Sequence, residues 1–266
     1  MNMAWKTLTG KFDTNHEGIE TLINKAASSQ WSIRDILWSA YSPVLAAIDS
    51  SPAIAPLRDL ISQAYYAELA TIEVCSQLMQ SDIGLQAKRF IATQITDEAR
   101  HAEAYGNYLE KLGGPITIHP KMNEIFSSVI KDNELPDLAK VIAINILLEG
   151  EALNQQGKRG KAIPCPIFDQ INRLILIDEA RHHAFGKMFV PMLAKKHSLQ
   201  ELSEVGFWCK DVWANWTLAN AGRYEQAGAE QFKVLEDEIQ KRWPVYENEL
   251  SKMGIIFESE EEVCLQ

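Results

Sequence analysis

The 266-residue sequence predicts an all-α protein built on a four-helix bundle, and three observations carry that expectation. Apolar residues recur at spacings of three and four over long stretches, which is the helical period, and strand-like alternation is scarce. The long periodic stretches number four, and short connections join them two and two. The pentamer Asp-Glu-Ala-Arg-His occurs twice, at 97–101 and 178–182, an offset of 182 − 101 = 81 residues. Chance does not account for a charged, histidine-containing pentamer repeated in a chain with six histidines.

Residues 29–41 read as a first, accessory helix, with Trp31 and Trp38 seven apart on one side. After Pro52 and Pro56 a long helix runs from about Ala55 to Ser81, its inner stripe formed by Leu57, Ile61, Tyr65, Glu68, Ile72, Cys75 and Met79. Gly84 marks a turn, and a second long helix reaches Leu112, where Gly113-Gly114-Pro115 stops it. A short helix is expected at 120–132. The third long helix spans Pro136 to Gln156, opened by a proline at a permitted position, and Gly157 to Pro166 reads as a loop. The fourth runs from Ile167 to Ala194, with Pro191 kinking or ending it. Accessory helices at 199–219 and 221–242 and a frayed acidic tail complete a single domain of 1–266, with its bundle core at about 55–195. Trp208, Trp213 and Trp216 read as packing against the bundle.

Composition excludes several classes. With 26 basic against 36 acidic residues the formal charge is −10, which argues against nucleic acid or an anionic membrane as partner. Four scattered cysteines form no Cys-x-x-Cys pair, so neither a zinc ribbon nor a disulfide framework is expected. The opening MNMAWKTLTGKFD contains no apolar run of signal-peptide length. The block VIAINILL at 141–148 is far short of the ~20 residues that span a bilayer. A cytoplasmic protein with reduced thiols is the expectation. There is no Gly-rich phosphate loop, no Gly-x-Ser-x-Gly elbow and no dinucleotide fingerprint.

The chemistry lies in the pentamers. Residues three apart share a helix face, so Glu98 and His101 point one way, as do Glu179 and His182. A carboxylate and an imidazole converging on one point suit a first-row transition metal, but two ligands are too few. Facing residues of an antiparallel hairpin lie equally far from its turn. A turn at 83–84 sets Glu68 opposite Glu98, and a turn near Pro164 sets Glu149 opposite Glu179. Both pairs are 30 residues apart, and 149 − 68 is again 81. Glu68 and Glu149 also sit within apolar stripes, where a carboxylate needs a counter-charge. Four glutamates and two histidines have the composition of a di-metal carboxylate cage.

On these residues the chain resembles the ferritin-like di-iron carboxylate superfamily, in its ribonucleotide-reductase-small-subunit and oxygenase branch. Its pentamers are similar to the Asp-Glu-x-Arg-His of soluble di-iron monooxygenases and acyl-carrier-protein desaturases. The resemblance covers about residues 55–195 and implies a ferritin-like bundle with accessory helices at both ends. It implies two iron ions, with a manganese–iron pair compatible with the same donors. Glu68 and His101 would hold one ion, Glu149 and His182 the other, and Glu98 and Glu179 would bridge. Asp97 and Asp178 would accept the histidines' outer N–H, and Arg100 and Arg181 would pair with those aspartates. Glu73 and Glu151 break the 30-residue symmetry and read as non-ligands, and His183 as a packing or surface residue. Gly186 leaves space for substrate or for close helix packing.

Tyr105, one turn beyond His101, occupies the position of the radical tyrosine in ribonucleotide reductase small subunits and is the candidate catalytic residue. The function implied first is an oxygen-dependent di-iron oxidase or monooxygenase. Its partners would be dioxygen, a small organic substrate of apolar or aromatic character, and an external electron donor; a homodimer is compatible. A radical-generating small subunit is the second reading, favoured by Tyr105 and weakened by the short chain and by glutamate rather than aspartate at 68. Non-catalytic iron storage is the third, weakened by the extra helices. The p-aminobenzoate N-oxygenase variant is disfavoured, because Ile175 stands where that branch adds a histidine.

Overall fold

A computed structural model describes residues 16–41, 54–132, 134–162, 165–222 and 240–258, with three isolated positions between 233 and 237. All regular structure among them is helical. Helix α1, Glu17–Ser28, starts at His16, whose ring nitrogen accepts from the Ile19 amide, and buries Ile19, Leu22, Ile23 and Ala26. Glu20 pairs with Arg89, and Gln86 hydrogen-bonds both backbone groups of His16, so α1 is tied to the bundle.

The accessory helix expected at 29–41 is not formed. Two 3-10 turns take its place, Ile33–Asp35 and Trp38–Tyr41. Ser32 and Asp35 close a capping box that starts a new turn there, and the Trp38 indole donates to the Ile33 carbonyl. The seven-residue tryptophan spacing that suggested a helix instead belongs to two side chains that pack on one apolar cluster from irregular backbone.

The four long helices are present. Helix α2, Ile54–Leu78, and α3, Leu85–Lys111, form the first hairpin. Its turn depends on Gly84, whose φ of +84° lies in the region that favours glycine. Gly113 and Gly114, at φ +92° and +87°, end α3, and Arg58 donates to both of their carbonyls. Helix α4, Pro120–Lys131, crosses the outside. The third long helix differs from its expected form. It begins as α5, Asp137–Val141, passes through a π-helical segment, Ile142–Leu148, and continues as α6, Glu149–Ala162. It therefore extends beyond the expected end at Gln156, while the turn placed near Pro164 lies outside the described residues.

Helix α7, Pro166–Ala194, completes the second hairpin and carries Pro191 within its last turn without ending there. Helix α8, Leu199–Gly222, matches the expected accessory helix. The helix expected at 221–242 lies mostly outside the described residues. Part of the expected frayed tail is ordered as α9, Trp243–Lys252, because Trp243, Tyr246 and Leu250 bury their side chains against Trp213 and its neighbours. Helices α3 and α7, which carry the pentamers, pack face to face across the bundle.

Candidate metal centre

The two hairpins bring Glu68, Glu98, His101, Glu149, Glu179 and His182 together in the bundle interior, all buried. They form two sets of donor atoms, Glu68–Glu98–His101–Glu179 and Glu98–Glu149–Glu179–His182, each with its atoms within 4.8 Å of one another. His101 Nδ1 lies 3.2 Å from Glu98 Oε2, 3.4 Å from Glu179 Oε1 and 3.7 Å from Glu68 Oε2. His182 Nδ1 lies 3.0 Å from Glu179 Oε2, 3.2 Å from Glu98 Oε1 and 3.3 Å from Glu149 Oε1. Glu98 and Glu179 thus each present one oxygen to either histidine. Bonds of ~2.1 Å to a first-row ion put neighbouring ligand atoms about 3 Å apart, so the spacing suits such an ion in each set.

Both outer ring nitrogens face carboxylates of the opposite hairpin. His101 Nε2 is 3.1 Å from Asp178 Oδ2, and His182 Nε2 is 3.2 Å from Asp97 Oδ2. Donation from Nε2–H to these aspartates would leave Nδ1 of each ring as the nitrogen free to ligate once an ion is bound. Arg100 Nη2 donates to Asp97 at 2.5 Å and to Asp178 at 2.9 Å; Arg181 Nη2 donates to Asp178 at 2.6 Å and to Asp97 at 3.0 Å. The pairing expected within each pentamer is there, joined by a crossed pairing that locks the two hairpins together.

Charge fits the same picture. The two arginines balance the two aspartates, which leaves four buried glutamates to be matched. With neutral histidines, two divalent ions supply that balance. Burial raises Glu68 well above the ordinary carboxylate range, reinforced by the charges of Glu98 and Glu179. Glu149 is raised by burial and by Glu179 and Glu98. For Glu98 burial acts upward, but the charge of His182 and hydrogen bonds to both histidines outweigh it and hold it well below. Burial also disfavours charge on His101, yet Glu179 and the hydrogen bonds to Asp178, Glu179 and Glu68 push it well above the ordinary imidazole value. His182 is pushed up likewise, against burial, chiefly by Glu98. A field that draws protons so strongly onto imidazole also draws metal cations.

Several contributors were missed in the sequence. The Trp31 indole donates to Asp178 Oδ2 at 2.8 Å, and its ring stacks 6.1 Å from His101 and lies under Arg100. Gln30 and Ser29 accept from Arg100 and Arg181. Gln94 donates to Glu98 and Glu149 and accepts from Asn145. The polarity of Gln94 and Asn145 within apolar stripes was a readable signal.

Glu73 is exposed, as a non-ligand should be. Glu151 is not solvated: it is 1% exposed, and Arg242 from beside α9 holds it through 2.5 and 2.9 Å contacts. Tyr105 is buried in an apolar cluster with Ile61, Tyr108, Ile171 and Ile175. His183 accepts its packing role, with Nδ1 donating to the Asn145 carbonyl that the π segment presents. Gly186 serves close helix packing: a Cβ there would come within 2.7 Å of Asn145 Cβ.

A narrow cavity of about 70 Å³ reaches Glu68, Glu149 and Glu179, with Thr71, Gln155 and Glu151 along it. A second, wholly apolar cavity, lined by Val74, Phe126, Ile144 and Trp213 among others, adjoins it, with Leu148 and Trp216 lining both.

No protein-family model matches the sequence, and no curated protein matches it. Solved structures do. A point variant of an R2-like ligand-binding oxidase with an anaerobically reconstituted Mn/Fe cofactor is 18% identical with a TM-score of 0.65, covering 94% of this chain and 98% of its own. An R2-like ligand-binding oxidase with an aerobically reconstituted Mn/Fe cofactor shows 16% identity and a TM-score of 0.64 over the same shares. A variant with an Fe/Fe cofactor gives 17% and 0.63, again over 94% and 98%. The chain therefore shares the all-helical bundle fold of these R2-like ligand-binding oxidases, in keeping with the fold class the sequence predicted.

Proposed function

We propose that the protein is an oxygen-dependent di-iron oxidase or monooxygenase acting on a small organic substrate of apolar or aromatic character. The observation that carries the reading is the pair of buried carboxylate–histidine sets sharing Glu98 and Glu179, set beside a cavity. Glu68 and His101 would hold one ion and Glu149 and His182 the other, with Glu98 and Glu179 offering an oxygen to each set. A manganese–iron pair, the cofactor described for two of the solved structures, suits the same donors. When bound in the reduced state, such a pair supplies electrons to dioxygen and the oxidising power to act on an organic bond.

The chain's own residues do the rest. Asp97 and Asp178 fix the tautomer of the histidines, and the crossed arginines hold those aspartates in place. The apolar walls around Leu148 and Trp216 limit water beside the glutamates. The narrowness of the cavity favours dioxygen and a small organic group. Electrons come from a separate donor protein or from the substrate, since the sequence carries no flavin, nicotinamide or iron–sulfur motif.

A radical-generating small subunit is the second reading, and the burial of Tyr105 one turn beyond His101 favours it. Anaerobic loading with ferrous ion, followed by dioxygen and watched by optical and EPR spectroscopy, separates the two. The oxidase reading predicts a transient absorption without a lasting radical. A long-lived tyrosyl signal that depends on Tyr105 replaces it with the radical reading.

A further inference from the structure

The hairpins repeat their ligands at the 81-residue offset, but they do not repeat what stands behind them. Gln94, fully buried one turn before Glu98, donates from Nε2 to Glu98 Oε1 and to Glu149 Oε1, both at 3.1 Å. Its Oε1 accepts from Asn145 Nδ2 at 2.9 Å, and the same amide nitrogen reaches the His182 carbonyl at 3.2 Å. Asn145 is itself fixed by the π segment, whose Asn145 carbonyl accepts from His183 and whose side chain packs on Gly186. The relay is hydrogen-bonded from end to end.

Its mirror positions are hydrocarbon. Adding 81 to 94 gives Ile175, and subtracting 81 from 145 gives Ala64. Ile175 is fully buried in the cluster that holds Tyr105. Glu68, the counterpart of Glu149, has His101 Nδ1 at 3.7 Å, borders the cavity and is the most exposed of the four glutamates at 7%.

We propose that Gln94 is a positioning residue that makes the two metal positions inequivalent, clamping Glu98 and Glu149 for the ion at His182 while Glu68 remains free to swing, so that the ion at His101 is the exchangeable one. The inference rests on the two-ion reading. A ligand oxygen already oriented by an amide loses less freedom on binding, and a carboxylate without such a donor can leave an ion stepwise. Removing residues that orient ligands typically costs about 10–100-fold in metal affinity.

The test loads the full chain anaerobically with two equivalents of cobalt(II) and follows the visible cobalt bands after excess chelator is added. Two phases of equal amplitude are expected. Gln94→Leu should speed the slow phase by about 10–100-fold and leave the fast one in place. The double variant Ala64→Asn/Ile175→Gln builds the relay on the other side and should slow the fast phase, which mere loss of packing cannot do. Two ions leaving the unaltered chain at one rate would overturn the inference while sparing the two-ion reading. So would equal acceleration of both phases in Gln94→Leu, or, where that variant does not fold, an unslowed fast phase in the double variant. Fewer than two bound cobalt ions sinks the two-ion reading, and this inference with it.

Discussion

Replacing Gly186 with alanine adds one methyl group where α7 meets the π segment. The new Cβ would stand 2.7 Å from Asn145 Cβ, 2.9 Å from Ile146 Cδ1 and 3.1 Å from the Asn145 carbonyl oxygen. Carbon atoms pack at about 3.5–4.0 Å, so the two helices must part by roughly 1 Å. The Ile146 methyl can rotate away, but Asn145 Cβ and its carbonyl move only with the backbone. Overpacking of this kind costs about 1–3 kcal/mol, and a clash with backbone-fixed atoms belongs at the upper end. Alanine's better helix propensity returns about 1 kcal/mol. The net loss is about 2 kcal/mol, and for a chain of this size the melting temperature falls by about 4–8 °C. Circular-dichroism melting with chelator present measures it without metal linkage masking the change. An unchanged or raised melting temperature would refute the reasoning, because propensity alone would then have decided the outcome.

Glu98→Ala should abolish both metal sites together, since Glu98 offers one oxygen to each histidine, whereas Glu73→Ala should bind a full complement; metal analysis of the two purified variants checks this. Glu151→Ala should keep its metals but lose about 1–3 kcal/mol of stability, because it removes the buried carboxylate that accepts from Arg242 and Gln155, and a denaturant titration reads the loss. Tyr105→Phe keeps the ring and loses one hydroxyl. It should retain iron and substantial substrate turnover in the oxidase reading, and loss of turnover together with a radical signal would favour the alternative.

The convergence of the four glutamates and two histidines was legible because two arithmetic regularities had to agree, the 81-residue repeat and the 30-residue spacing about each turn. Both are properties of the chain, and regular helices carry them faithfully into space. What escaped notice depends on partners far apart in sequence. Trp31 finds Asp178 147 positions away, and the buried Glu151 meets Arg242, which returns from the C-terminal region. Helix α1 carries a local signal of its own, since Ile19, Leu22, Ile23 and Ala26 follow the helical period behind His16. The π segment left no such trace, since VIAINILL is apolar apart from Asn145 and carries no period that tells a π turn from an α turn.

The central claim is that one bundle holds two metal ions through shared glutamates. Metal analysis of the iron-loaded protein combined with X-ray absorption tests it most directly. The account predicts two ions per chain and a metal–metal scattering path at about 3.5–4 Å. A single ion per chain, or two ions with no metal–metal path, would contradict it.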